Sequence, residues 1–259
     1  MNEAIHPTAI ISDKAEIGDD VEVGAYAVIG DDVTIGARTV IGSHVVVNGP
    51  TTIGEDNHIY QFASVGDDPQ DKKYANEPTR LTIGDRNTIR EYCTLSRGTV
   101  QDAGETILGD DNWIMAYVHI AHDCVVGNNT IMANNTTLAG HVHVGDWAIC
   151  GGFSGVHQFC KIGAHSFLGM YSGANRDVPA YVMMSGQPAV PKGINSEGLK
   201  RRGFSAEQIR NIKNAYRILY RQGKKLDEAI EEIAALVDAE PELSVFLDSL
   251  RASERGVAR

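Results

Sequence analysis

The chain has 259 residues, 42% of them hydrophobic and 22% charged, enough to bury a proper core and too apolar for a disordered chain. Glycine, at 27 residues, is well above its usual share while aromatics are only 7%, so turns are frequent and the core is aliphatic. A net charge of −11 argues against nucleic acid; no apolar run nears the roughly 20 residues of a membrane span; and the first residues lack a signal peptide's basic and apolar regions, so a soluble cytoplasmic protein is expected.

From Ile5 every sixth residue is aliphatic: Ile11, Ile17, Val23, Ile29, Ile35, Ile41, Val47, Ile53, Ile59 and Val65. The phase breaks, returns at Ile83, Ile89 and Leu95, breaks again, and resumes one residue out of step from Leu108 through Ile114, Ile120, Val126, Met132, Leu138, Val144, Cys150, Val156, Ile162 and Leu168. A second column of small or β-branched residues runs four places later, through Val21, Ala27, Val33, Thr39, Val45, Thr130, Thr136, Val142, Ala148 and Ser154. A period of 3.6 cannot fit a six-residue repeat, but a short strand plus a turn can, so the spacing predicts a parallel β-helix of triangular coils, three hexads to a coil. Spacing does not give its hand.

The interruptions at 67–80 and 99–106 are expected to be loops ejected from the prism, where function tends to sit. Residues 1–195 are expected to form the solenoid and 196–259 a helical domain over its open end. In the latter, Ser205 with Gln208 predicts a capping box before a helix over 206–221. A second helix is expected after Gly223, through 226–240, and a third from near Pro241. Residues 196–225 carry nine Lys/Arg against Glu197 and Glu207, a balance of +7 that leaves −18 on the remainder and offers an acidic partner a docking surface.

Cys93, Cys124, Cys150 and Cys160 all fall in the inward columns, so buried free thiols are expected rather than disulfides or zinc ligands. His119, His122, His141, His143, His157 and His165 crowd the second half. Ile120 points inward, so His122 and Asp123 belong to the following turn, on the outside. Gly140 and His141 hold the same places one coil later, and Gln158 and Phe159 the next. The hexapeptide repeat resembles that of the left-handed β-helix acyltransferases, and the acyl transfer this implies needs a base of near-neutral pKa, a group to orient it and an oxyanion donor. His122, Asp123 and the backbone N–H of Gly140 suit those roles.

The segments HIAHDCVVGN, LAGHV (138–142), VHQF (156–159), QDKKYANEPTR and NSEGLKRRGFS (195–205) together resemble the acyl-[acyl-carrier-protein]:UDP-N-acetylglucosamine O-acyltransferases of lipid A biosynthesis, over about residues 6 to 259. The resemblance implies a left-handed β-helix and a homotrimer with sites between subunits. It implies transfer of an (R)-3-hydroxyacyl chain from the phosphopantetheine of acyl carrier protein to the 3-hydroxyl of UDP-N-acetylglucosamine, by direct attack and without metal or other cofactor. By position it makes His122 the catalytic base, Asp123 its partner and Gly140 the oxyanion amide. It places Gln70, Asp71 and Lys73 near the sugar and its diphosphate. His119, His141, His157 and Gln158 become sugar and pantetheine contacts, and Asn195, Glu197, Arg201 and Arg202 the nucleotide end. Met170 takes the position of a hydrocarbon ruler. It lies 48 residues beyond His122, in an exposed turn on the neighbouring face of the prism, a rise of roughly 13 Å at the interstrand spacing, which favours a 3-hydroxydecanoyl donor of about ten carbons. Two other classes share the solenoid: a zinc-dependent γ-type carbonic anhydrase and a non-catalytic nucleotide-sugar-binding solenoid.

Overall fold

The computed structural model describes residues 4–259. Strands of two to five residues assemble into three interleaved sheets of nine, eight and ten strands, parallel throughout the solenoid, where each strand up to Gly173–Ala174 pairs with strands three places away in the chain, except that the last of the third sheet meets Val182–Ser185. Pairings such as Val28 with Val46, and His119 with Thr137, are offset by 18 residues, so one coil is three hexads. This is the left-handed β-helix that the resemblance implies. Both inward columns are buried from Val21 onward, whereas Ile5, Ile11 and Ile17 of the first coil are only partly covered.

Each prism edge must turn the chain sharply between strands, and most of these turns contain one non-glycine residue of positive φ, among them Asp20, Tyr26, Asp123 and His141. Because the turns repeat every coil, those side chains stack. Between the third and first sheets, the rings of Tyr26, His44, Phe62, Tyr92 and Tyr117 form a ladder with neighbouring centroids 4.9–5.2 Å apart. Between the second and third, Arg38 pairs with Asp56 and Arg86 with Asp111. The remaining edge, between the first and second sheets, carries both phase breaks. The chain leaves there after strand Ser64–Asp67 and returns at Arg80–Ile83, then leaves after Thr94–Ser96 and returns at Glu105–Leu108.

The third sheet ends in an antiparallel hairpin, Val182–Ser185 with Val190–Ile194, that the hexad pattern does not announce. Four helices follow: α1 (Ser196–Arg201), α2 (Ala206–Arg221), α3 (Leu226–Ala234) and α4 (Leu243–Arg251). The capping box is present, Ser205 Oγ accepting from the Gln208 N–H and the Gln208 side chain from the Ser205 N–H. α3 is shorter than expected. Residues 235–240 close as successive turns, since Pro241 disfavours helical backbone in the residue before it. The helices cover the last coil: the Tyr181 hydroxyl donates to the Glu242 carbonyl, and the Ala180 N–H to Ser249 Oγ. Solenoid and helices share one apolar core. No helix among the described residues is long and apolar enough to cross a membrane.

All four cysteines are free and buried, and loss of water pushes their thiols up, to about 11 for Cys93 and about 12 for Cys150. A thiol-reactive chromophore at pH 8 should therefore leave the native protein unlabelled and titrate four thiols in denaturant. Rapid native labelling would contradict the packing.

Candidate active site

On the edge between the first and second sheets, the turns Ala121–Asp123, Ala139–His141 and His157–Phe159 lie on successive rungs. The third residue of each has φ between 58° and 64°. The His141 N–H donates to the His122 carbonyl (3.0 Å) and the Phe159 N–H to that of Gly140 (3.2 Å), which aligns His122, Gly140 and Gln158 in one column.

One expectation is corrected here. Asp123 is not on the outside but buried, at 2% exposure, because the chain between residues 97 and 104 folds over it. The Thr99 N–H donates to Asp123 Oδ1 (2.8 Å), and the Thr99 hydroxyl (2.6 Å) and His122 Nδ1 (2.8 Å) both meet Oδ2. The Asp123 N–H donates to Thr106 Oγ1 at 2.8 Å. Burial alone would raise the pKa of this carboxyl. The hydrogen bonds from His122 and Thr99 outweigh it, and the group titrates below its ordinary range. The ring of His122 is consequently fixed by Nδ1, and Nε2 has no protein partner among the described residues.

Gly140 leaves no room for a side chain. A Cβ there would sit 2.5 Å from Cε1 and 2.7 Å from Nε2 of His122, so the imidazole lies against the bare backbone. The Gly140 N–H makes no hydrogen bond among the described residues. His141 is oriented by Asp102, with Nδ1 2.8 Å from Oδ2; its ring stacks on Phe159 and meets His122 edge-on.

These groups line a cleft of about 800 Å³ with Gln70, Asp71, Lys72 and Lys73 of the first loop, Gln101 and Asp102 of the second, Gln158, Phe159 and Glu254. The sequence-expected His122, Gln70, Asp71, Lys73, His141 and Gln158 therefore converge. His119 stands beside them on the sheet face, its Nδ1 on Thr94 Oγ1 (2.7 Å) and its pKa lowered by burial. His157 is at the rim, within 3.4 Å of Arg255.

The remaining expected residues lie elsewhere in the chain's fold. Asn195 caps α1, accepting from the Gly198 N–H and donating to the His165 carbonyl. Glu197 pairs with Lys200, and Arg201 is exposed. The Arg202 guanidinium lies over the Trp147 ring and 3.2 Å from His165 Nδ1. Burial first, and that cation second, hold His165 down at about 4. Met170, 61% exposed, sits on the edge between the third and first sheets. Sequence reading missed Thr99, Thr106, Asp102 and Glu254. The flagged loop pointed towards the first three, whereas Glu254 arrives from the far terminus without any periodic signal.

His122, Asp123 and His141 also place nitrogen and oxygen atoms within 4.8 Å of one another, as a cation site would. Both Nδ1 atoms already face carboxylates, and the two Asp123 oxygens take three hydrogen bonds, so these atoms are engaged with partners of the chain itself.

The family model described as "Bacterial transferase hexapeptide (six repeats)" matches residues 14–49 and 105–140, and that described as "Udp N-acetylglucosamine O-acyltransferase; Domain 2" matches residues 177–258. Curated relatives named acyl-[acyl-carrier-protein]--UDP-N-acetylglucosamine O-acyltransferase include that of Thiobacillus denitrificans, 63% identical over 98% of this chain and 99% of its own. That of Janthinobacterium sp. is 60% identical over the same shares. Among solved structures, LpxA of Acinetobacter baumannii superposes with a TM-score of 0.97 at 51% identity, over 99% of this chain and 100% of that one. The UDP-N-acetylglucosamine O-acyltransferase of Moraxella catarrhalis gives 0.98 at 51%, with the same coverage. These matches set aside both the carbonic anhydrase and the non-catalytic solenoid.

Gly140→Ala should drive the His122 ring off its position while keeping the fold, because the turn lies outside the prism core. Turnover should fall about 100-fold with little change in melting temperature. A variant with wild-type turnover would show that the ring's seat on Gly140 is not needed.

Proposed function

The chain belongs to the acyl-[acyl-carrier-protein]--UDP-N-acetylglucosamine O-acyltransferases, and we propose that it transfers an (R)-3-hydroxyacyl chain from acyl carrier protein to the 3-hydroxyl of UDP-N-acetylglucosamine, the first step of lipid A synthesis. The observation that carries the assignment of roles is the His122 imidazole, held by a buried carboxylate at Nδ1 and open to the cleft at Nε2. Nε2 takes the proton of the sugar hydroxyl as its oxygen attacks the thioester carbonyl. Asp123 stabilises the imidazolium that forms, and the Gly140 N–H receives the oxyanion. Collapse expels the pantetheine thiolate, which recovers the proton from His122. No covalent enzyme intermediate arises. Lys73 and Asp71, on the loop facing His122, hold the diphosphate and the sugar.

The working unit in this reading is a cytoplasmic homotrimer. One chain presents His122 on one prism edge but Met170 on another and Arg201 beyond the last coil, so a neighbouring subunit supplies the missing wall. Carrier protein, which is acidic, meets the basic face of α2, where Lys213, Arg217 and Arg221 are exposed. Met170 ends the acyl groove and selects a 3-hydroxydecanoyl donor.

His122→Ala should cut turnover by about 10² or more in a folded protein; turnover within a few-fold of wild type refutes the base assignment. Competition among carriers of different chain length, read by mass spectrometry of the product, should show decanoyl preference and a shift to longer chains in Met170→Gly. Unaltered selectivity removes the ruler.

A further inference from the structure

Arg97 is the only lysine or arginine buried among the described residues. A buried cation is costly unless its donors are met; here Nε has no partner among the described residues, and the two terminal nitrogens are shared among three stretches of chain. Nη1 donates to the carbonyls of Gly49 (2.8 Å) and Gly66 (2.7 Å); Nη2 donates to the Asp68 carboxylate and to the Tyr74 hydroxyl (3.0 Å). The Tyr74 hydroxyl in turn donates to the Glu77 carbonyl at 3.1 Å. Gly66, Asp68, Tyr74 and Glu77 bracket the four loop residues, Gln70 to Lys73, that line the cleft. The loop itself is polar and mostly exposed, with few buried side chains to hold it.

The backbone around Arg97 is fixed in turn. Its N–H donates to the Asp67 carbonyl, and the Gly98 N–H to that of Arg80, so the base of the first loop is pinned to the start of the second. Gly98 cannot bear a side chain, since the backbone of Gly104 and Glu105 fills the space. Two residues after Arg97 comes Thr99, which grips Asp123.

We infer that Arg97 is a positioning residue for the acceptor: its guanidinium sets the height of the Gln70–Lys73 segment against His122, and the stretch 97–99 couples the acceptor-binding loop to the catalytic pair. The inference rests on the reading of the cleft as the UDP-N-acetylglucosamine site. It requires a planar fork with donors in fixed directions, which lysine lacks.

The test compares wild type, Arg97→Lys and Tyr74→Phe in steady-state kinetics, with calorimetric binding of UDP-N-acetylglucosamine. Arg97→Lys should raise KM and Kd for the nucleotide sugar about tenfold, leaving KM for acyl carrier protein and kcat within about twofold. Tyr74→Phe, which removes one partner and keeps the arginine, should move the same constants in the same direction by about two- to fivefold, and reads the clamp even if Arg97→Lys fails to fold. Unchanged nucleotide-sugar constants in the variants, or a loss confined to kcat, overturn the clamp while leaving the assigned function intact. A wild type that neither binds nor acylates UDP-N-acetylglucosamine overturns both.

Discussion

A carboxylate taken out of water is unfavourable unless donors meet its oxygens, and Asp123 is met by the backbone and hydroxyl of Thr99 and by His122. Hydrogen bonds to a charged group contribute about 1.5–3 kcal/mol each, so this group organises its surroundings. It ties the second ejected loop to the prism, holds the histidine by one nitrogen and leaves the other facing the cleft. Because the folded carboxyl titrates below its ordinary value, this stabilisation is complete above the unfolded pKa near 4 and is lost as pH falls through the lower folded value.

The solenoid supplies what a single turn cannot. A strict 18-residue coil places chemically different residues one above another at a fixed rise, so a base, a bare glycine and a glutamine occupy equivalent turns on three rungs. The same regularity explains why Gly140 matters: at the spacing of adjacent strands there is space for the His122 ring or for a side chain above it, but not for both. Function then enters where regularity is broken. Both loops leave the edge that carries His122, and together they furnish six of the cleft's lining residues.

Much of this was legible because a hexapeptide repeat is a local code. Inward columns, buried thiols and the alignment of His122, Gly140 and Gln158 all follow from counting. The code is silent where the chain leaves it. The burial of Asp123 depends on the path of an aperiodic loop, and Glu254 is brought to the cleft by Asp177, itself buried, which binds the N–H groups of Glu254 and Arg255 and the Ser253 hydroxyl, and by Lys161, which pairs with the Glu254 carboxylate. The turn to helix after Asn195 is legible, but the bounds of α1 are not, since six residues containing Gly198 show no period and its cap, Asn195, reads equally well as a ligand contact. Met170 is legible by counting: register gives its height along the prism and an exposed turn on a neighbouring face, and that edge separates it from His122 within one chain.

The central claim is that Asp123 fixes His122 with its proton on Nδ1 and an open lone pair on Nε2. Nitrogen-15 NMR of histidine-labelled protein near neutral pH reports this directly. The account predicts that the neutral imidazole of His122 is the Nδ1–H form, with a downfield Nδ1 proton that vanishes in His122→Gln. A His122 resonance in the Nε2–H form, or one averaging freely between tautomers, would contradict it.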